Sequence, residues 1–149
     1  MFTVSPIRHL RDGAHENQLS KSVLLLFVDE LCRMYPDRCI YFPSYEIVMD
    51  ELRDYRFYDA GMTHPNEQAI RYIWERFSEA CFSEETQTLN REWERLEKAL
   101  NHRPLTPDKD AFRDFTMQNL FKLKKIWKKY SYFDLSKEID SLELFLKTL

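Results

Sequence analysis

Apolar positions follow two different patterns along this chain, and the change falls near residue 64. Before it, residues 2–5 and 38–42 are short apolar runs ended by prolines, which predicts two β-strands. Between them a helix is predicted over residues 17–35, and its stretch 23–28 is apolar almost all round, as in a helix buried against a sheet. Strand, helix and strand form a βαβ unit, whose strands normally lie parallel in one sheet.

After residue 64 the pattern predicts helices alone. Pro65 suits a first helical turn, and the stripe that would face the core is Ala69, Ile70, Ile73, Trp74 and Phe77. Further helices are predicted from Ser83, from the capping-box-like segment 106–110 to about residue 130, and after Ser136. A short helix over residues 46–52 would be capped by Ser44. The pattern predicts an α/β part over residues 1–82 and a helical extension packed on it over residues 83–149, with helix predominating overall.

Composition excludes several function classes. The 149 residues are 44% hydrophobic and 15% aromatic, enough for one sizeable core, and a net charge of −3 gives no general attraction to nucleic acid or an anionic membrane. No apolar run approaches the roughly 18 residues that span a bilayer. The three cysteines lack a metal-type spacing, which favours buried, reduced thiols. We therefore expect a cytoplasmic protein with no cofactor and with neither nucleic acid nor membrane as a partner.

His64 is the strongest candidate for chemistry, because it stands in a loop directly before an amphipathic helix. An imidazole can accept a proton at neutral pH, and loops before helices often carry such groups in α/β enzymes. The nearest preceding carboxylate is Asp59, while the position three residues before the histidine is Gly61. The structural alternative is a loop histidine that caps the following helix.

Several uncommon strings point to a family. They are TVSPIRHLRDG at residues 3–13, ENQLSK at 16–21, YFPSYEIVMDELRDYRFY at 41–58 and MTHP at 62–65. In this order they resemble the C-terminal half of the bacterial GSCFA-domain family, which is named for a Gly-Ser-Cys-Phe-Ala motif and is similar to SGNH (GDSL-like) hydrolases. The resemblance is firmest up to residue 77, and NHRPLTP at 101–107 extends it into the tail.

The resemblance implies the C-terminal part of a flavodoxin-like fold with few parallel strands, and an Asp-x-x-His pair before a late helix. His64 matches the histidine; Gly61 stands at the aspartate position, which leaves Asp59 as a candidate substitute. Neither Gly-Asp-Ser nor Gly-Ser-Cys-Phe-Ala occurs in the chain, so the serine nucleophile is absent from it. We expect a C-terminal fragment of an ester hydrolase or acyltransferase, inactive alone, because the serine and its base must act together. The implied substrate is a small acyl ester or an acylated carbohydrate.

Arg8 and His9 are weaker candidates. They follow the first predicted strand at the edge where open parallel sheets bind ligands, so they could contact substrate or an oxyanion; a structural hydrogen bond in a loop is the alternative. His9, His15 and His64 lack the helical spacing with an acidic partner that a zinc site needs, so no metal is expected.

A basic segment near the C-terminus imitates a nucleic-acid patch, with Trp127 and Tyr130 among Lys122, Lys124, Lys125, Lys128 and Lys129. On a helical wheel these lysines fill one arc and apolar residues the other. This favours an ordinary amphipathic helix, with the lysines in solvent and the apolar residues packed on the core. Two other readings stay open for the whole chain: a non-catalytic binding module derived from a hydrolase, and an unrelated helical interaction domain. A sheet edge left exposed would favour a homodimer.

Overall fold

Helices form most of the structure, a computed structural model that describes residues 1–101 and 109–148. The described helices are α1 Gly13–Met34, α2 Ser44–Glu46, α3 Glu67–Cys81, α4 Glu84–Leu100, α5 Lys109–Lys129 and α6 Ser136–Thr148. A π-helix, Ile47–Leu52, continues α2, and a 3-10 turn covers Tyr55–Phe57. The chain divides into two compact units, Met1–Phe82 and Ser83–Leu149.

The predicted α/β, flavodoxin-like fold is wrong, because residues 1–101 and 109–148 contain no β-strand. A single parallel bridge joins Phe2 to Tyr41, with the Phe42 N–H donating to the Phe2 carbonyl at 2.8 Å. The bridge does not grow into a ladder, since the next acceptor, the Val4 carbonyl, takes its hydrogen bond from the Ser44 hydroxyl at 2.9 Å. The Ser44 N–H bonds back to Phe42 instead. With no sheet edge in this part of the chain, the predicted edge-to-edge dimer loses its basis.

Helix α1 is longer than predicted and is not buried all round. Its buried positions are Lys21 and Val28, seven residues apart on one face, and burial lowers the pKa of the Lys21 ammonium group. The exposed apolar residues of the helix include Leu19, Val23, Leu24, Leu26 and Phe27. A helix covered by a sheet would hide these side chains, so the prediction that α1 is buried against a sheet is wrong.

The first unit is held together by aromatic packing around α3. The ring of Phe77 lies 5.1 Å from that of Phe42 and 5.4 Å from that of Phe82, centroid to centroid, in edge-to-face contacts. Ala69 on the same helix is fully buried. Ile70 and Trp74, which the sequence places in the core-facing stripe, are about half exposed. One side of α3 therefore packs into the core, while part of its apolar stripe stays accessible.

Helices α4, α5 and α6 form the second unit. Its core consists of Leu89, Leu96, Leu123, Ile126, Tyr130, Leu135 and Ile139. Helix α4 begins next to Ser83, as the sequence predicts, and the Ser83 hydroxyl caps it by accepting from the Thr86 N–H at 3.3 Å. The capping-box-like segment predicted over residues 106–110 lies largely outside the described residues. None of the helices in the described ranges has the length and apolar character needed to cross a membrane.

Candidate functional site

The His64 loop, residues 58–65, is closed by hydrogen bonds among its own residues. The Asp59 N–H donates to the His64 carbonyl at 2.9 Å, and the Met62 N–H donates to the Asp59 carbonyl at 3.0 Å. The Asp59 carboxylate oxygen Oδ1 also accepts from the backbone N–H groups of Thr63 and His64, at 3.3 and 3.4 Å. Asp59 therefore organises this loop from both its main chain and its side chain.

Asn66 ties the loop to helix α3. Its side-chain oxygen accepts from the Ala69 N–H at 3.1 Å and caps the helix, while its amide nitrogen donates to the Arg56 carbonyl at 2.6 Å. The Asn66 N–H donates to the Phe57 carbonyl at 2.8 Å. The cap is thus Asn66, and the alternative in which His64 caps the helix is wrong. Sequence reasoning missed Asn66, although an asparagine before the Glu-Gln start of a helix is a recognised cap signal.

Two side chains approach the imidazole of His64. Thr63 Oγ1 lies 3.0 Å from Nδ1, and Asp59 Oδ2 lies 3.7 Å from the same nitrogen. A separation of 3.7 Å is too long for a hydrogen bond, so the direct partner of the ring is the threonine hydroxyl. When Nδ1–H donates to this hydroxyl, Nε2 carries the lone pair and can accept a proton. No pattern in the sequence points to Thr63.

The Asp59 carboxylate lies beside Gly61. A Cβ atom at position 61 would lie 3.5 Å from Oδ1 and 3.8 Å from Oδ2 of the Asp59 carboxylate, which is ordinary contact distance. A carboxylate two residues earlier in the chain therefore occupies the space next to position 61. This geometry supports Asp59 as the acidic neighbour of His64, at a distance that allows an ionic interaction when the ring is protonated.

An apolar cavity of about 600 Å³ adjoins the His64 loop. His64 is one of its lining residues, together with apolar side chains from the N-terminal segment, from Phe42 and from α3. The α3 residues in the lining are Ile70, Ile73, Trp74 and Phe77. This lining explains why Ile70 and Trp74 are accessible: they form the wall of a cavity whose volume is typical of small-molecule sites.

Comparison with known protein families identifies the chain. A model of the GSCFA family matches residues 1–77, and a model of the GSCFA domain protein, C-terminal domain, matches residues 93–148. The chain belongs to the GSCFA family. This confirms the resemblance carried by the strings between residues 3 and 65. No curated protein and no solved structure matches the chain.

Arg8 reaches the same loop in this GSCFA chain. Its N–H donates to the Thr63 carbonyl at 3.0 Å, its Nη1 donates to the Met62 carbonyl at 3.3 Å, and its guanidinium carbon lies 4.1 Å from the centre of the Tyr58 ring. Met62 has a φ of 59°, a left-handed conformation uncommon for a side-chain-bearing residue. Arg8 thus supports the loop through contacts 54 residues apart in sequence, which the sequence alone did not reveal.

His9 and the cysteines are not brought to the site. The His9 N–H donates to Asn17 Oδ1 at 2.9 Å, and its imidazole makes no hydrogen bond within the part of the chain that the structure describes. In residues 1–101 and 109–148, no cluster of three or more histidine, cysteine, aspartate or glutamate side chains could hold a metal ion. Cys32, Cys39 and Cys81 are free thiols of intermediate burial.

Proposed function

We propose that this GSCFA chain supplies the histidine base of an acyl-transfer site, of the ester hydrolase or acyltransferase type, whose serine nucleophile lies in polypeptide outside the chain. The observation that carries the proposal is the placement of His64: Nδ1 is 3.0 Å from the Thr63 hydroxyl, and the residue lines an apolar cavity. When Nδ1–H donates to this hydroxyl, Nε2 is the nitrogen that can take a proton from a serine hydroxyl.

Asp59 would stabilise the protonated, positively charged form of the His64 imidazole. Proton transfer from serine creates an imidazolium, and a carboxylate 3.7 Å from Nδ1 stabilises that positive charge. Both side chains are substantially exposed, 59% for His64 and 43% for Asp59, so water screens the attraction. We therefore expect a weaker contribution than that of a buried carboxylate hydrogen-bonded to its histidine.

The cavity favours an acyl group as the part of the substrate held by this chain. Phe42, Ile73 and Phe77 offer an apolar wall without a charged side chain, which suits a hydrocarbon tail better than a sugar. A small acyl ester satisfies this requirement directly. An acylated carbohydrate would satisfy it through its acyl portion, with the sugar directed elsewhere.

The test uses a GSCFA-family polypeptide that contains both this chain and a Gly-Ser-Cys-Phe-Ala segment, assayed with p-nitrophenyl butyrate. His64→Ala should lower kcat by roughly 10³-fold or more, since loss of the base disables the nucleophile. His15→Ala, an exposed histidine on α1, is the matched control and should leave kcat unchanged. Equal hydrolysis by wild type and His64→Ala would disprove the proposal.

A second candidate function is a binding module that has lost catalysis, and a specific observation favours it. Gly61 provides no carboxylate, and Asp59 lies beyond hydrogen-bonding distance of the imidazole. Under this reading the cavity binds an acyl compound without turning it over. In the same polypeptide, Gly61→Asp combined with Asp59→Asn should then give no hydrolysis of any acyl ester, whereas a gain of hydrolysis would favour the enzyme.

A further inference from the structure

A second cavity, of about 400 Å³, lies in the second unit between α4 and α5. We call it the α4–α5 groove. Its apolar floor includes Leu96, Ala99 and Ile126, and its other lining residues are mostly charged. It shares no residue with the cavity beside His64, so any ligand it takes is independent of the proposed acyl-transfer site.

Asn119 is the residue that distinguishes the groove from an ordinary helix surface. The residue is only 3% exposed, and its side-chain amide makes no hydrogen bond within residues 1–101 and 109–148, but its polar atoms are not fully enclosed and stay accessible. It lines the groove among apolar core positions such as Leu123 and Ile126. An amide that lines a cavity and makes no hydrogen bond to the described residues can bond a ligand that enters the cavity. A ligand in the groove would provide an acceptor for it.

The charge of the groove is strongly unbalanced. Arg95, Lys122 and Lys125 line it, make no ion pair in the described part of the chain, and face Glu92 as the carboxylate of the lining. Two positive charges therefore remain in excess among these side chains. Lys129 also lines the groove, but its Nζ donates to the Tyr130 hydroxyl at 2.7 Å and lies 3.8 Å from Glu85. The excess matches a ligand that carries two negative charges.

We propose that the α4–α5 groove binds a phosphate monoester with an apolar body. Above about pH 6 such a monoester carries close to two negative charges and offers several acceptor oxygens. Its phosphoryl group would be held by Lys122, Lys125 and Arg95 and would accept a hydrogen bond from the Asn119 amide. The apolar body would rest on the floor formed by Leu96 and Ile126. A simple carboxylate carries only one negative charge, so it matches the two excess positive charges less well.

The test follows the side-chain amide of Asn119 in ¹H–¹⁵N correlation spectra during titration of the full chain with phenyl phosphate. The Asn119 NH₂ pair should shift in a saturable way, and the uncharged control benzyl alcohol should leave it unmoved. The shift should weaken when the pH is lowered from about 7.5 to about 5, because the phosphate then becomes a monoanion. No saturable shift of this NH₂ pair up to about 10 mM ligand would overturn the proposal.

Lysine variants distinguish phosphate binding in the groove from nonspecific binding to a basic surface. The double variant Lys122→Gln/Lys125→Gln should weaken phenyl phosphate binding by about tenfold or more. Lys128→Gln is the matched control, because Lys128 is exposed on the same helix and does not line the groove. Equal weakening by the control would assign binding to nonspecific charge and overturn the proposal. Tighter binding of a short oligonucleotide than of phenyl phosphate would do the same.

Asn119→Leu provides a final check on the buried amide. Leucine is similar in size and removes the unpaired polar group, so the variant should fold at least as stably as wild type while binding phenyl phosphate about tenfold more weakly. Unchanged affinity in this folded variant would overturn the proposal, because the phosphoryl group would then not contact the amide.

Discussion

The hydroxyl of Thr63 lies 3.0 Å from Nδ1 of His64, closer than the Asp59 carboxylate at 3.7 Å. This relationship makes the threonine, rather than the acidic residue, the direct hydrogen-bond partner of the ring, and its hydroxyl can accept from Nδ1–H or donate to an unprotonated Nδ1. It also leaves Asp59 free to hold the loop through the backbone N–H groups of residues 63 and 64.

Thr63→Val should therefore change the imidazole tautomer. In the wild-type chain we expect neutral His64 to carry its proton on Nδ1, because the Asp59 carboxylate 3.7 Å away favours a proton on that nitrogen and the Thr63 hydroxyl can accept its hydrogen bond. The variant should shift the population toward the Nε2–H form because valine accepts no hydrogen bond. Long-range ¹H–¹⁵N correlation spectra at alkaline pH report the two tautomers directly. Asp59→Asn is the comparison and should shift the populations in the same direction, because it removes the negative charge beside Nδ1. Identical tautomer populations in wild type and Thr63→Val would contradict this account.

Gly61→Asp should destabilise the first unit by roughly 1 kcal/mol at low salt, because the new carboxylate would lie beside that of Asp59. Gly61→Ala, which adds the Cβ without the charge, is the control and should be close to neutral, since its contacts begin at 3.5 Å. Urea unfolding at low and high salt measures both variants. The loss should shrink with salt and disappear in Gly61→Asp/Asp59→Asn. A loss independent of salt would point to steric rather than charge repulsion.

Asn66 performs two tasks that substitution can separate. Asn66→Asp keeps the capping oxygen but loses the amide donor to the Arg56 carbonyl, whereas Asn66→Ala loses both. We expect Asn66→Ala to cost about 1–2 kcal/mol of unfolding free energy and Asn66→Asp clearly less. Ser83→Ala, which removes only the cap of α4, should cost about 1 kcal/mol. Equal losses in the two Asn66 variants would mean that the cap contributes nothing.

Tyr41 should make the fold sensitive to alkaline pH. Burial, followed by its hydrogen bond to Glu46, raises the pKa of the Tyr41 phenol in the folded chain. Because the folded state holds this proton more tightly than the unfolded state, the contribution to stability is complete below about pH 10 and is lost as the pH rises above it. Urea unfolding across this range should show the decline in wild type. The decline should be smaller in Tyr41→Phe, and an unchanged slope would contradict the assignment.

Leu123 should be the most sensitive position of the second unit. Its side chain is fully buried among the core residues of α4, α5 and α6, so Leu123→Ala should cost about 3 kcal/mol through lost burial and the cavity left behind. Leu144→Ala on α6 is the control, because Leu144 is 65% exposed and should change stability by less than about 0.5 kcal/mol. Circular dichroism during urea unfolding compares the two, and comparable losses would refute this description of the core.

Local signals account for what the sequence predicted well. The helix starts near Ser83 and Ser136 depend on neighbouring residues, and the structure has both. The prediction of strands was wrong because strand pairing depends on distant partners. Here the Ser44 hydroxyl, in place of a backbone N–H, donates to the Val4 carbonyl that a ladder would need. Within the site, His64 and Asp59 could be selected because they are close in sequence, whereas the support from Arg8 depends on contacts 54 residues away.

We expect the apolar side of α1 to affect how this chain behaves as a purified sample. Leu19, Val23, Leu26 and Phe27 are all about half exposed or more, and they recur along one side of the helix. Such a surface binds environment-sensitive dyes and promotes self-association on heating, so thermal unfolding would follow the rate of aggregation rather than an equilibrium. Dilute protein in urea, which solvates apolar groups, is therefore the condition in which the stability differences between these variants become measurable.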